Sequence, residues 1–299
     1  MKAKEFSGII PPALSSFDKE GNIYEKGIRE NIRFILPYVD GLYPIGTYGC
    51  GPCMSIDERK KVLEIILDEV NGKVPVVVHV GTADTKTTCE LARHAKAAGA
   101  SGVGAISPYY SPNLPEEALY RHFAGLIDAV NEEEFPVFVY NNKNYSQNAI
   151  TPGLLRRLAE YGLRGCKDSS FDLVNYYQFH EAVKDFPDFN LIIGTEAIFV
   201  AAFEAGAKGC VCGMGNIFPE ILCEMRKVYL AGDKEKAMEY QYQILALRAI
   251  TKTAPTVPIM HAILAMRGVD SGLPRSPYIE IEEGLKTRIK EQLVQAGVI

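Results

Sequence analysis

The 299-residue chain is 47% hydrophobic and 23% charged, enough apolar material for one large α/β barrel or for two smaller domains. Its formal net charge of −5 gives no general electrostatic reason to bind nucleic acid or a lipid surface. No apolar stretch reaches the roughly 18 residues that a helix needs to cross a bilayer.

The N-terminal segment Met1–Leu14 has two lysines but only a short apolar run, broken by Pro11 and Pro12, and makes a poor export signal. Seven cysteines, an odd number in a long chain, then fit reduced thiols and a cytoplasmic protein. Onward from Gly8 the chain alternates short apolar runs with longer amphipathic ones. The runs expected as buried parallel strands are Gly8–Leu14, Gly41–Ile45, Val74–Val80, Gly102–Ile106, Pro136–Tyr140, Arg164–Lys167, Asn190–Gly194 and Gly209–Cys212. Between them helices are expected over Ile56–Val70, Thr85–Ala98, Glu116–Val130, Pro152–Tyr161 and Leu173–Val183. Ser55 and Glu58 are spaced as a capping box for the first of these. Eight strand–helix units in about 230 residues favour an α/β (β/α)8 TIM barrel. A doubly wound open sheet fits less well, because the first strand runs into Pro11-Pro12-Ala13 rather than a Gly-rich phosphate turn. The tail reads as helices at Lys234–Lys252, Val257–Arg267 and Glu280–Gln295. The expected organisation is a barrel domain over 1–232 and a C-terminal helical extension over 233–299, packed on the barrel.

Catalysis in such a barrel sits at the C-terminal ends of the strands. The polar residues there are Ser15-Ser16, Thr47-Tyr48, His79, Ser107 with Tyr109-Tyr110, Tyr140-Asn141, Lys167-Asp168, Thr195-Glu196 and Met214-Asn216. Lys167 alone can be an amine nucleophile, since desolvation in a barrel mouth frees its lone pair; the alternative is a solvent-facing lysine or one paired with Asp168. Tyr140 closes the preceding strand, within reach of Lys167. Gly46-Thr47-Tyr48-Gly49 can aim consecutive N–H groups at one anion. His79, with no nearby acid in sequence, is expected to pack in the core, as are Cys210 and Cys212. Cys50 and Cys53 form a CxxC, but without a second pair or a His cluster at zinc-ligand spacing, so packing is expected there too.

In this order and at these strand ends, the residues resemble the dihydrodipicolinate synthase/N-acetylneuraminate lyase family of pyruvate aldolases, over essentially the whole chain. The marks are Gly46-Thr47-Tyr48-Gly49, Ser107-Pro108-Tyr109-Tyr110, Tyr140-Asn141, Gly165-Cys166-Lys167-Asp168, Gly194 and Gly272-Leu273-Pro274-Arg275-Ser276-Pro277. The resemblance implies that Lys167 forms an imine with pyruvate or another 2-oxo acid, so that the C3–C4 bond can form or break with no metal or organic cofactor. It implies that Tyr140 shuttles the proton, with Thr47 relaying to a Tyr110 contributed by a neighbouring subunit of a homotetramer built as a pair of dimers. The amides of Thr47 and Tyr48 would hold the carboxylate.

Departures from the family pattern bear on the substrate. Tyr48 and Cys50 stand where the family usually has Thr and Glu, and Tyr145 stands where the dihydrodipicolinate synthases have an arginine. Glu196 retains one of the two acids that sialate lyases place after Gly194, whereas Gly49-Cys50-Gly51-Pro52 looks more like the turn of the 2-keto-3-deoxygluconate aldolases. The expectation is a lyase for a 2-oxo-3-deoxy sugar acid, with Gly194, Glu196, Asn142 and Tyr145 completing the substrate site. The alternatives are a dihydrodipicolinate synthase that condenses pyruvate with aspartate semialdehyde, and a non-catalytic keto-acid-binding barrel.

Overall fold

The computed structural model describes residues 6–130 and 135–299; Lys2 and Lys4 of the N-terminal segment weighed above lie outside them. Strands and helices alternate except where α2 follows α1: β1 (Gly8–Ile10), α1 (Glu25–Ile35), α2 (Ile56–Val70), β2 (Val77–His79), α3 (Thr85–Ala97), β3 (Gly102–Ile106), α4 (Glu116–Val130), β4 (Val137–Asn141) and α5 (Pro152–Tyr161). Then come β5 (Gly165–Asp168), α6 (Leu173–Val183), β6 (Asn190–Ile193), α7 (Phe199–Glu204), β7 (Gly209–Val211) and α8 (Pro219–Leu230). Three helices follow, α9 (Lys234–Thr251), α10 (Thr256–Met266) and α11 (Glu283–Gln295). Asp233 caps α9 by accepting from the Lys236 N–H at 2.9 Å, and α9 lies against α8 and α11.

Among the described residues the sheet has seven parallel strands, in the order β1-β7-β6-β5-β4-β3-β2, where the sequence suggested eight. Gly41–Ile45 is the difference. It is not a regular strand and makes one parallel bridge, Leu42 to Val76. Its backbone nevertheless bonds to both edges of the curled sheet. Asp40 and Tyr43 donate to the carbonyls of Ile9 and Pro11 at 2.9 Å, while Leu42 donates to Pro75 and Val77 and His79 donate back to Leu42 and Pro44, each at 3.0 Å. The proline content explains the irregularity: Pro11, Pro44 and Pro75 have no N–H, so an uninterrupted ladder cannot form on either side. Ile45 then turns to φ +62°, a left-handed conformation that ends any strand.

Helix ends follow local chemistry. The Ser55 capping box forms in both directions, Ser55 Oγ accepting from the Glu58 N–H at 3.2 Å and Glu58 accepting from the Ser55 N–H at 2.8 Å. Three helices, α1, α7 and α8, were not among those expected from the sequence; α8 opens with Pro219 at a first-turn position, a favourable start.

Strand periodicity sorts the core into two layers. Phe6, Ile10, Tyr43, Val77, Phe138, Ile192 and Val211 form one buried cluster on the concave side of the sheet. Val137, Val139 and Cys166 belong to the larger cluster beneath the helices. Counting by two from Phe138 puts Tyr140 on the concave side, and β4 pairs with β5 so that Tyr140 stands opposite Lys167. One step down, Gly165 leaves the room that the Phe138 ring fills.

Candidate active site

Lys167, the penultimate residue of β5, has 6% of its surface exposed. Burial lowers its amine from the ordinary 10.5 to about 7, because the ammonium loses its hydration. Its Nζ lies 3.7 Å from the centre of the Tyr140 ring and 4.4 Å from that of Tyr43. Asp168 does not pair with it. That carboxylate turns away and accepts from Asn141 Nδ2 at 2.8 Å, Ser170 Oγ at 2.7 Å and Asn175 Nδ2 at 3.2 Å. The alternative of a lysine neutralised by its neighbour is thus removed. Nζ is an amine amid phenol rings.

The Tyr140 hydroxyl accepts from Asn142 Nδ2 at 2.7 Å. Burial raises its pKa, with Asn142, Ser169 and Thr47 pulling the other way through hydrogen bonds to the oxygen. Asn142, Thr47 and Ser169 therefore all address the hydroxyl that stands beside the amine.

Turn 46–49 is braced from behind: the Cys50 N–H donates to the Thr47 carbonyl at 3.2 Å and the Gly51 N–H to the Gly46 carbonyl at 3.0 Å. Non-glycine residues in the left-handed region flank it, Ile45 at φ +62° and Cys50 at φ +53°, a conformation that persists only where the surroundings enforce it. Neither Thr47 nor Tyr48 donates its N–H to a described backbone carbonyl, so both remain available to a ligand. The Tyr48 ring crosses the cavity with its hydroxyl packed over Gly213, where any side-chain carbon would collide with it. Gly194 stands directly against Ser169 for the same steric reason.

Lys167, Tyr140, Thr47, Tyr48, Asn142, Tyr145, Gly194 and Glu196 line one cavity of about 110 Å³. Tyr110 does not: it is 84% exposed and lines no part of that cavity. Within one chain, it is not in the site. Glu196 lines the cavity but is 1% exposed and hydrogen-bonded to Arg248 Nη1 as an ion pair. Arg248 in turn lies over the Phe171 ring at 5.2 Å. Lys252, its pKa lowered by burial and then by Arg248, and Thr256 complete that wall. The sequence reading missed Arg248, Lys252 and Tyr43. Arg248 in the last turn of α9 and Lys252 at its C-cap are four apart and so lie on one side of the helix end, but no local signal ties a C-terminal helix to a strand end. His79 packs against Tyr43 and Tyr140 with ring centres 6.1 Å away in each case and is buried, as expected of a core histidine.

A second, more apolar cavity of about 180 Å³ adjoins the first, sharing Thr47, Tyr140 and Tyr145 and adding Cys50, Cys53 and Tyr278. A wider groove of about 390 Å³ lies between α10 and α11, away from the amine. The buried amine and its neighbouring phenol, rather than volume, mark the candidate site. Among the described residues, no group of three or more His, Cys, Asp or Glu side chains could hold a metal ion, and no helix is long and apolar enough to cross a membrane.

Comparison with known proteins agrees with this geometry. The sequence model of the Dihydrodipicolinate synthetase family matches residues 5–296. The 4-hydroxy-tetrahydrodipicolinate synthase of Methanopyrus kandleri is 33% identical over 300 aligned positions, covering 99% of this chain and 98% of its own. The crystal structure of YagE, an E. coli K12 prophage protein of the dihydrodipicolinic acid synthase family in complex with pyruvate, superposes with a TM-score of 0.93 at 27% identity, covering 98% of this chain and 99% of that one. A catalytic-lysine mutant of the Ruminococcus gnavus sialic acid aldolase superposes with a TM-score of 0.90 at 26% identity, covering 98% and 97%. The chain belongs to the dihydrodipicolinate synthetase family and is a carbon–carbon lyase of that family, whose chemistry runs through a pyruvate imine on a lysine rather than a metal cofactor.

Proposed function

We propose that Lys167 is the imine-forming nucleophile of a class I pyruvate aldolase, and that Tyr140 moves the proton to and from the aldol hydroxyl. The observation that carries this is the desolvated amine, 3.7 Å from the Tyr140 ring and with a pKa of about 7. A neutral amine attacks the ketone of pyruvate, and the protonated imine then draws electrons from C3 so that the C3–C4 bond forms or breaks. Thr47 and Tyr48 would offer their free N–H groups to the carboxylate, with Gly194 leaving room beside Ser169. Asn142 holds the Tyr140 hydroxyl, and Tyr110 would join the relay from a second copy of the chain, in a cytoplasmic homotetramer assembled as two dimers. The backbone bonds of residues 40–44 to both sheet edges support a closed (β/α)8 barrel over 1–232, with 233–299 as its helical extension.

Two substrate classes fit the rest of the cavity. A 2-oxo-3-deoxy sugar acid would place its hydroxyls against Glu196 and Tyr145. The dihydrodipicolinate synthase reading gains from a specific observation: Arg248 already holds Glu196, and with Lys252 it turns that wall cationic, which suits an aldehyde carrying its own carboxylate. The relative from M. kandleri bears that synthase name. Pyruvate release from a panel of 2-oxo-3-deoxy acids, run beside condensation of pyruvate with aspartate semialdehyde, separates the two. Turnover in either direction supports the aldolase reading, and none in both contradicts it. Glu196→Gln should raise KM for a polyol chain while leaving pyruvate imine formation in place.

A further inference from the structure

The turn behind Thr47 carries a feature that aldol chemistry does not use. Cys50-Gly51-Pro52-Cys53 has the CxxC spacing of dithiol redox motifs. Residues 51–53 form one 3₁₀ turn with Cys50 at its N-cap, and the Cys53 N–H donates to the Cys50 carbonyl at 2.9 Å. A turn closed by this bond keeps its end Cα atoms within about 7 Å, where disulfides need roughly 4.4–6.8 Å. Both cysteines line the same 180 Å³ cavity, which also reaches Thr47 and Tyr140. Cys50 is buried and Cys53 half-buried, so Cys53 is the more accessible of the two. Both are free.

We propose that Cys50 and Cys53 form a reversible disulfide that regulates the site by moving the turn bearing Thr47 and Tyr48. The mechanical link is short. Cys50 and Gly51 donate directly to the carbonyls of Thr47 and Gly46. Gly51 lies so close to the Ile45 carbonyl, and Gly49 to the Ile45 backbone nitrogen, that neither tolerates a side-chain carbon. Backbone packed on both sides cannot absorb a new torsion at Cys50 in place, so the change passes to residues 46–49. The reaction needs a low-molecular-weight disulfide as oxidant. The Cys53 thiolate attacks it and expels one thiolate, giving a mixed disulfide. The Cys50 thiolate then attacks Cys53 Sγ and expels the second. Two electrons pass to the oxidant, and the two protein thiol protons end on the two small thiols released. Burial raises both thiols, Cys50 to about 11 with Arg275 opposing, which keeps the pair protonated and slow to react until oxidant is abundant.

The disulfide itself is read without any assay of turnover, whereas its effect on imine formation rests on the aldolase reading. The full-length protein is incubated with glutathione disulfide, its remaining thiols are alkylated, and it is digested with trypsin. Cys50 and Cys53 fall in the same peptide, Phe34–Arg59. The expected result is loss of two hydrogens and no alkylation on that peptide. Trapping of pyruvate with cyanoborohydride, which spares disulfides, should slow about tenfold, as small misplacements of binding groups do, and recover with dithiothreitol. In Cys53→Ser the oxidised and reduced rates should be equal. Alkylation of both thiols after oxidant, a mixed disulfide that never resolves, or an intramolecular disulfide with an unchanged trapping rate would each overturn the proposal. Absence of any adduct in the reduced protein would instead overturn the aldolase reading, leaving the peptide mass to judge the dithiol.

Discussion

The proposed reactivity of this chain rests on one side chain, Lys167, which burial strips of solvent. The amine of Lys167 is neutral above about pH 7, so the rate of pyruvate imine formation should rise through that pH and level off well below 10. A profile that climbs only near the ordinary lysine value would show that Nζ is hydrated. Tyr140→Phe should still form the imine but lose turnover by roughly 10²–10⁴, the usual worth of a positioned proton donor; an unchanged kcat would reassign the relay. Gly213→Ala tests the other wall. Its methyl would strike the Tyr48 hydroxyl, so KM for pyruvate should rise as the ring shifts, whereas an unaltered KM would mean that Tyr48 does not shape the carboxylate pocket. Lys167 and Tyr140 were legible in the sequence because each ends a short apolar run. The ion pair that Glu196 makes was not, because its partner, Arg248, is 52 residues away.

At the scale of elements, period-two alternation and turn chemistry place the site. Pairing of β4 with β5 sets Tyr140 opposite Lys167, and a one-residue slip of either strand would turn its own residue toward the helices and part the two. Gly165 fixes that arrangement by admitting Phe138 beneath the pair. Gly165→Ala should therefore destabilise the protein by about 1–3 kcal/mol through overpacking and slow imine formation as well, measured by chemical denaturation beside pyruvate trapping. A variant of native stability would mean the floor can give. The capping box of α2 and the boundaries of β3 followed directly from residue patterns. Gly41–Ile45 did not behave as its apolar pattern suggested, because prolines on it and beside it remove ladder donors, a consequence that appears only once the strands are neighbours. Helices α1, α7 and α8 escaped notice since they fall where the sequence reading attended to strand ends.

The whole molecule bears the energetic cost of keeping the amine dry. Below about pH 7 the buried lysine is protonated in both folded and unfolded chains, and the full penalty is present. Between about 7 and 10.5 the unfolded chain binds a proton that the folded one does not, so the stability contributed by this group rises with pH. The shift corresponds to something on the order of 5 kcal/mol. Lys167→Met should raise Tm at about pH 6, by an amount that shrinks toward pH 10; no gain would show that the ammonium is solvated in the native state. The family and its α/β class could be read from ordered strand-end motifs, but the cationic wall contributed by α9 could not, since it exists only when the C-terminal helices fold back over the strand ends.

The most direct measurement is reductive trapping of pyruvate on the native protein, followed by tryptic mapping. The account predicts one pyruvate-derived adduct on Lys167, seen as lost cleavage after that residue and a single modified peptide running from Gly165 to Lys184. An adduct on any other lysine, or none at saturating pyruvate, would contradict it.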